Sequence, residues 1–194
     1  MCWCFVFVAC GLVAEGSGVT GVLDAAAGNR TIWTVKNDPR ILHIDIEPDL
    51  EIPADRILDC RNTGFPDKSF HTIIFDPPHS WGHQKGKGCM TSPNSDNWNP
   101  AWGHKQRPAY TGNDKYGSEE GLIQFISASA REFHRLLVDD GWVLLKWGET
   151  RINSERIVSL FVSHGFVVML RTDRRKNGPA ASNCSWVLLM KKLE

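Results

Sequence analysis

The sequence predicts an α/β fold, in which one domain is built on a doubly wound, mainly parallel sheet with an antiparallel hairpin at its C-terminal edge. Three observations predict this class. Short apolar runs alternate with stretches of helical periodicity, each of the first four runs carries an aspartate at its C-terminal end, and the last two runs flank a polar turn. Strands that alternate with helices pair in parallel through crossover connections. The 194 residues suffice for one domain, which we expect to span 1–194.

Four apolar runs predict the first four strands, at 21–24, 41–46, 56–59 and 71–76, and a helix is expected near 29–36. In open parallel sheets, ligands bind outside the carboxyl ends of the strands. We therefore expect the acids that close these runs to meet at one edge of the sheet. They are Asp24, Asp45, Asp59 and Asp76.

The second half of the chain predicts two helices and three strands. Apolar side chains recur at helical spacing over 119–137 and 153–164. Gly141 is expected to separate the first of these helices from a strand. The three strands are predicted at 142–147, 166–170 and 186–190.

Composition restricts the function classes. Lys and Arg number 22 and Asp and Glu also number 22, so no overall field attracts the chain to nucleic acids or membranes, and any nucleic-acid binding needs a local patch. Six cysteines without a repeated spacing indicate reduced thiols in the cytoplasm. No metal is expected, because two groups fit no regular zinc spacing. They are Cys2, Cys4 and Cys10, and His79, His83, Cys89 and His104.

Residues 1–14 are almost entirely apolar. No Lys or Arg precedes the run, as a secretory signal requires, and the run is too short to span a bilayer as a helix. We expect a strand or helix packed at the edge of the domain, or a poorly chosen start codon, and no membrane partner.

The segment from Asp76 to His79 predicts a functional corner. Pro77 and Pro78 cannot donate to a sheet ladder, and each pushes the residue before it into an extended conformation. The resulting stiff turn holds the Asp76 carboxylate and the carbonyl before Pro78 at the carboxyl end of the predicted strand. Two acceptors at a fixed spacing suit an exocyclic amino group.

A second motif, from Asp24 to Gly28, follows the first strand. Its small residues allow close approach of a ligand to the backbone, although the single glycine does not make the Gly-x-Gly-x-x-Gly dinucleotide pattern. Asp45 follows Asp24 by about 20 residues, which is the spacing of a ribose-binding carboxylate.

With these motifs, residues 20 to 192 resemble the class I S-adenosylmethionine-dependent methyltransferases. Within that family, the chain resembles the Asp-Pro-Pro-aromatic enzymes that methylate exocyclic nitrogens of nucleobases. The resemblance implies a Rossmann-like domain with S-adenosyl-L-methionine as cofactor. It implies cofactor contacts from Asp24, Ala25, Ala26, Gly28, Asp45, Ile46, Asp59 and Cys60, and a catalytic element of Asp76, Pro77, Pro78 and His79. Two positions depart from the family pattern: His79 replaces an aromatic residue, and Gly28 stands alone in the cofactor loop.

The resemblance also implies the reaction. We expect methyl transfer to an exocyclic amine of a nucleic-acid base, first N6 of adenine in DNA and second N4 of cytosine. The target base must be flipped out or unpaired. Alternatives are an amino group of adenine or guanine in RNA, a protein side-chain amide, and a non-catalytic S-adenosylmethionine-binding module. A nucleotide-dependent oxidoreductase is disfavoured by the single glycine. Both a monomer and a homodimer are compatible with the sequence.

The segment 80–118 is predicted to cover the substrate, because loops of this length without regular structure usually carry function. It mixes basic and aromatic side chains, a combination that suits phosphate neutralisation and base stacking. A solvated insertion is the alternative. The expected substrate contacts are Trp81, Lys85, Lys87, Trp98, Trp102, Arg107 and Tyr116.

Overall fold

The computed structural model describes residues 20–79, 118–149, 152–174 and 184–193. The predictions for 1–14 and for most of 80–118 therefore lie outside the described residues. Nine elements follow one another along the described chain. They are β1 (Thr20–Asp24), β2 (Ile41–Asp45), β3 (Arg56–Ile57), β4 (Phe70–Phe75), α1 (Glu119–Leu136), β5 (Leu137–Gly148), α2 (Ser154–Ser163), β6 (Phe166–Arg174) and β7 (Cys184–Lys191).

All seven strands belong to one sheet in the order β3-β2-β1-β4-β5-β7-β6. The first five strands pair in parallel, whereas β7 is antiparallel to both β5 and β6. The α/β class and the antiparallel edge predicted from the sequence are confirmed. The order of the strands reverses between β1 and β4, so the topological switch point of the sheet lies there.

Both helices pack on the same face of the sheet. Ser118 caps the start of α1 through its side chain, and Asn153 caps α2 in the same way. Phe75, at the end of β4, has no exposed surface, and its ring lies 4.8 Å from that of Phe133 and 6.4 Å from that of Phe161. Burial of a Phe side chain contributes about 1.5–3 kcal/mol. This packing fixes the chain immediately before Asp76.

The helix predicted near 29–36 is wrong, since residues 25–40 form a series of turns. Arg30 has a φ of 53°, which no helix accommodates. Its guanidinium donates to the Pro53 carbonyl and to the Asp55 carboxylate, more than 20 residues along the chain. These long-range hydrogen bonds fix a turn where local spacing suggested a helix.

Four strands have bounds that differ from the prediction. β6 continues to Arg174, beyond the predicted 166–170, and β7 spans Cys184–Lys191 around the predicted 186–190. β3 is shorter than expected, and β5 begins at Leu137 and runs through Gly141 rather than after it. A Cβ atom at position 141 would lie 2.9 Å from the Val138 carbonyl, and the register of β5 against β4 shifts nearby. Gly141 therefore permits an irregularity inside a strand rather than ending an element.

Within the described ranges, neither α1 nor α2 combines the length and the apolar character that a bilayer-spanning helix needs.

Candidate active site

The diproline corner lies directly after β4, at the switch point of the sheet. Pro77 is buried, and the side chain of Asp76 is 15% exposed. The end of β1 is its neighbour on one side, because Asp24 pairs with Ile74. The end of β5 is its neighbour on the other side, because Leu145 pairs with Phe75. The structure thus brings Asp76 and Asp24 to the same edge, as the sequence predicted.

Asp76 carries an ion pair that sequence reasoning missed. The Lys146 ammonium donates a hydrogen bond to Asp76 Oδ2. Lys146 lies one residue beyond the Leu145–Phe75 pair, so the register of β4 and β5 places it opposite Asp76. From the sequence alone, a lone lysine in an apolar strand is typical of a sheet edge. The pair becomes visible only once the pairing of the two strands is known.

His79 completes the corner. Its Nε2 atom lies 3.6 Å from Asp76 Oδ1, and its ring packs edge-on against Trp147 at 5.3 Å between centroids. Burial lowers the pKa of His79, and the Lys146 charge lowers it further, whereas the Asp76 carboxylate opposes the shift. Burial and the Lys146 charge therefore both favour the neutral imidazole. The structure thus holds the His79 ring between Asp76 and Trp147.

The carboxylate of Asp24 is completely buried at the end of β1. Its Oδ2 atom accepts a hydrogen bond from Trp33 Nε1 at 2.6 Å and lies 3.0 Å from His43 Nδ1. Burial raises the pKa of Asp24, and the nearby Asp76 adds to this, while the contacts with His43 and Trp33 lower it. Among the described residues, Asp24 Oδ1 has no hydrogen-bond partner. A buried carboxylate oxygen in that state is uncommon in folded proteins.

Asp45 holds the predicted cofactor loop, from Asp24 to Gly28, at the end of β2 through a hydrogen bond. Its Oδ2 atom accepts from the Gly28 N–H at 2.9 Å, and its Oδ1 atom accepts from the Glu47 N–H at 2.9 Å. Gly28 has a φ of 47°, a conformation that glycine adopts at low cost. Ala25 is buried and Ala26 is partly buried in the turn that follows Asp24. Ile46 follows Asp45 directly.

Asp59 and Cys60 follow β3 and have different surroundings. The Asp59 carboxylate is 27% exposed and pairs with Arg61. Burial alone would raise its pKa, but the hydrogen bonds from Arg61 lower it overall. The Cys60 thiol is completely buried against Ser129 of α1, and this burial raises its pKa to about 12. Only Asp59 therefore offers a side chain to a ligand, and Cys60 is limited to its backbone groups.

The predicted substrate contacts lie outside the described residues, so their placement stays a prediction. They are Trp81, Lys85, Lys87, Trp98, Trp102, Arg107 and Tyr116. The same holds for His83, Cys89 and His104.

The fold resembles solved methyltransferases. An S-adenosylmethionine-dependent methyltransferase from Methanosarcina mazei matches with a TM-score of 0.54 and 11% identity, over 91% of this chain and 94% of that chain. The N-methyltransferase NodS from Bradyrhizobium japonicum WM9, bound to S-adenosyl-L-homocysteine, matches with a TM-score of 0.53 and 11% identity, over 89% and 78%. The 4+2 cyclase SpnF matches with a TM-score of 0.52 and 11% identity, over 91% and 76%.

No family model and no curated protein matches the sequence. The chain thus has the fold of S-adenosylmethionine-dependent methyltransferases, but the matched structures also include a cyclase. Identities near 11% establish the architecture rather than the reaction.

Proposed function

We propose that this protein transfers a methyl group from S-adenosyl-L-methionine to an exocyclic amine of a nucleic-acid base. N6 of adenine in DNA is the first candidate, N4 of cytosine is the second, and a base of RNA is the alternative. The observation that carries the proposal is the position of Asp76 at the switch point, beside the buried carboxylate of Asp24.

The strand ends fit the cofactor. Bound S-adenosylmethionine would supply an electrophilic methyl group on a sulfonium centre. Asp24 Oδ1, buried and without a partner among the described residues, suits a cationic amine. The Asp45 and Asp59 carboxylates already accept hydrogen bonds from the chain, yet a carboxylate has about four lone-pair sites and can accept more. These three carboxylates can therefore accept hydrogen bonds from a ligand that carries an amino group and hydroxyl groups.

The diproline corner suits the acceptor amine. The lone pair of an exocyclic amino nitrogen is delocalised into the ring, so this nitrogen is a poor nucleophile. Hydrogen bonds from its two N–H groups to Asp76 Oδ1 and to the Pro77 carbonyl favour a pyramidal nitrogen with its lone pair available. Phe75 holds the corner in place from within the core, and fixed geometry contributes much of the rate acceleration at such a site.

A substitution that removes the Asp76 carboxylate tests the proposal. Asp76→Ala is expected to lose transfer of labelled methyl to DNA and RNA while it still binds S-adenosylmethionine in calorimetry. Asp67→Ala is the control, since the Asp67 carboxylate is 75% exposed and precedes β4 at the opposite end from the corner. The control variant should retain activity. Undiminished transfer by Asp76→Ala would refute the assignment, and cofactor binding without any transfer by the unmodified protein would favour the non-catalytic module.

A further inference from the structure

Lys146 is the charged group nearest to Asp76 that has no part in the function proposed above. Its side chain is only 19% exposed, and its ammonium lies 5.9 Å from the centroid of the Trp186 ring. Holding an amphipathic lysine at the end of a sheet costs side-chain entropy, so the ordered ion pair with Asp76 requires a reason. Its position, one residue beyond the paired ends of β4 and β5, is at the same edge as the acceptor site for the amine.

The ion pair uses only part of the hydrogen-bonding capacity of each partner. An ammonium has three N–H donors, and within the described part of the chain only Asp76 Oδ2 accepts from Lys146. On the carboxylate, Lys146 occupies Oδ2, and Oδ1 lies at 3.6 Å from His79, which is too long for a hydrogen bond. As far as residues 20–79, 118–149, 152–174 and 184–193 show, the pair presents an acceptor, Asp76 Oδ1, next to a donor, Lys146 Nζ.

We propose that Lys146 and Asp76 read the edge of the substrate together. Asp76 Oδ1 accepts from the amino group, and Lys146 Nζ donates to the ring nitrogen beside that group. This inference rests on the proposed function and narrows its substrate class. Adenine presents N6–H beside the N1 acceptor, and cytosine presents N4–H beside the N3 acceptor. On its Watson–Crick edge, guanine presents a second N–H beside its amine, which the ammonium cannot accept.

Two roles for Lys146 make different predictions. As a substrate-reading residue, it acts through the ring nitrogen, so its loss matters only for substrates that carry this nitrogen. As a partner that merely positions Asp76, it acts equally on every substrate. Replacement of one nitrogen in the base distinguishes the two roles, and Lys146→Met and Lys146→Arg test the side chain.

The test measures kcat/KM on single-stranded oligonucleotides with one target adenine, 1-deazaadenine or 7-deazaadenine. The unmodified protein should lose roughly 10- to 100-fold on 1-deazaadenine relative to 7-deazaadenine, the value expected for a hydrogen bond to a charged group. Lys146→Met should lose a similar factor on adenine, and its ratio between the two analogues should fall by that factor to their intrinsic difference in nucleophilicity, whereas Lys146→Arg should keep the ratio of the unmodified protein. Altered nucleophilicity of the deaza base affects all three proteins equally, so the ratio between proteins isolates the contact.

Two results would overturn the reading role and leave the proposed function intact. One is an equal kcat/KM of the unmodified protein on the two analogues. The other is a Lys146→Met variant with the same ratio between the analogues as the unmodified protein, so that the losses from the substitution and from the missing ring nitrogen multiply. If cytosine is the base that is methylated, 3-deazacytosine replaces 1-deazaadenine with the same expectations. If the unmodified protein methylates no base, the proposed function fails, and the inference fails with it.

Discussion

The imidazole of His79 lies directly over Gly148. A Cβ atom at position 148 would be 2.9 Å from His79 Cδ2 and 3.2 Å from His79 Cγ. Real Cβ atoms do not come so close, and thus the absence of a side chain at the end of β5 lets His79 sit beside Asp76. Gly148 and His79 are 69 positions apart in the sequence, and only the sheet brings them together.

Gly148→Ala is expected to displace His79 and to reduce methyl transfer by at least tenfold, because loss of about 1.4 kcal/mol of positioning energy already has that effect. Affinity for S-adenosylmethionine, measured by calorimetry, should stay within about threefold. Gly21→Ala is the matched control in β1, where the added Cβ makes only an ordinary 3.8 Å contact with the Arg40 carbonyl. Equal losses of activity in both variants would contradict this account of the corner.

Glu132→Ala is expected to reduce the free energy of unfolding by about 1–3 kcal/mol, because it leaves donors in the interior without an acceptor. Glu132 is 8% exposed and accepts from the Thr63 N–H at 2.9 Å, from the Thr63 hydroxyl at 2.8 Å and from Arg135. Urea unfolding at pH 7 measures the loss. Glu132→Gln keeps an acceptor for Thr63, so it should lose less.

The same residue predicts a pH dependence. Burial raises the pKa of Glu132, but the hydrogen bonds from Arg135 and Thr63 outweigh it and lower the pKa from its ordinary 4.5. A carboxyl group with a lowered pKa in the folded state stabilises the fold above its unfolded pKa, and this stabilisation is lost as the pH falls through the folded pKa. The stability difference between the unmodified protein and Glu132→Gln should therefore shrink below about pH 4.5. A difference that is constant from pH 7 to pH 3 would contradict the assignment.

Gly165→Ala should destabilise the protein more than Gly64→Ala. Both glycines have positive φ, 87° and 73°, so alanine at either site strains the backbone by roughly 1–2 kcal/mol. At Gly165, the residue after the cap of α2, a Cβ atom would also lie 2.8 Å from His134 Nε2, whereas nothing lies within 4 Å of a Cβ at Gly64. Overpacking of this kind adds roughly 1–3 kcal/mol. Equal shifts in chemical denaturation would show that His134 moves aside freely.

The strands that frame the site could be predicted from the sequence because their signal is local. β1, β2 and β4 are buried apolar runs that end at acids, and their predicted bounds agree with the structure to within one residue. The helix predicted over 119–137 is observed at Glu119–Leu136, since its apolar spacing is visible in the sequence.

Two features that the sequence did not reveal have a common cause, which is a partner far away in the chain. The turn at Arg30 depends on Asp55, 25 residues away, and the Lys146–Asp76 pair joins residues 70 apart. Neither contact leaves a local pattern. The burial of Cys60 also depends on a distant element, because Ser129 of α1 covers its thiol.

The most direct test of the central claim is the identity of the methylated product. The unmodified protein is incubated with S-adenosylmethionine carrying a labelled methyl group and with DNA and RNA, and the nucleic acids are digested to nucleosides for mass spectrometry. We expect label on an exocyclic amine, first as N6-methyladenine in DNA, and no label with Asp76→Ala. Label only on a ring carbon, a ring nitrogen or protein, or transfer that persists in Asp76→Ala, would contradict it.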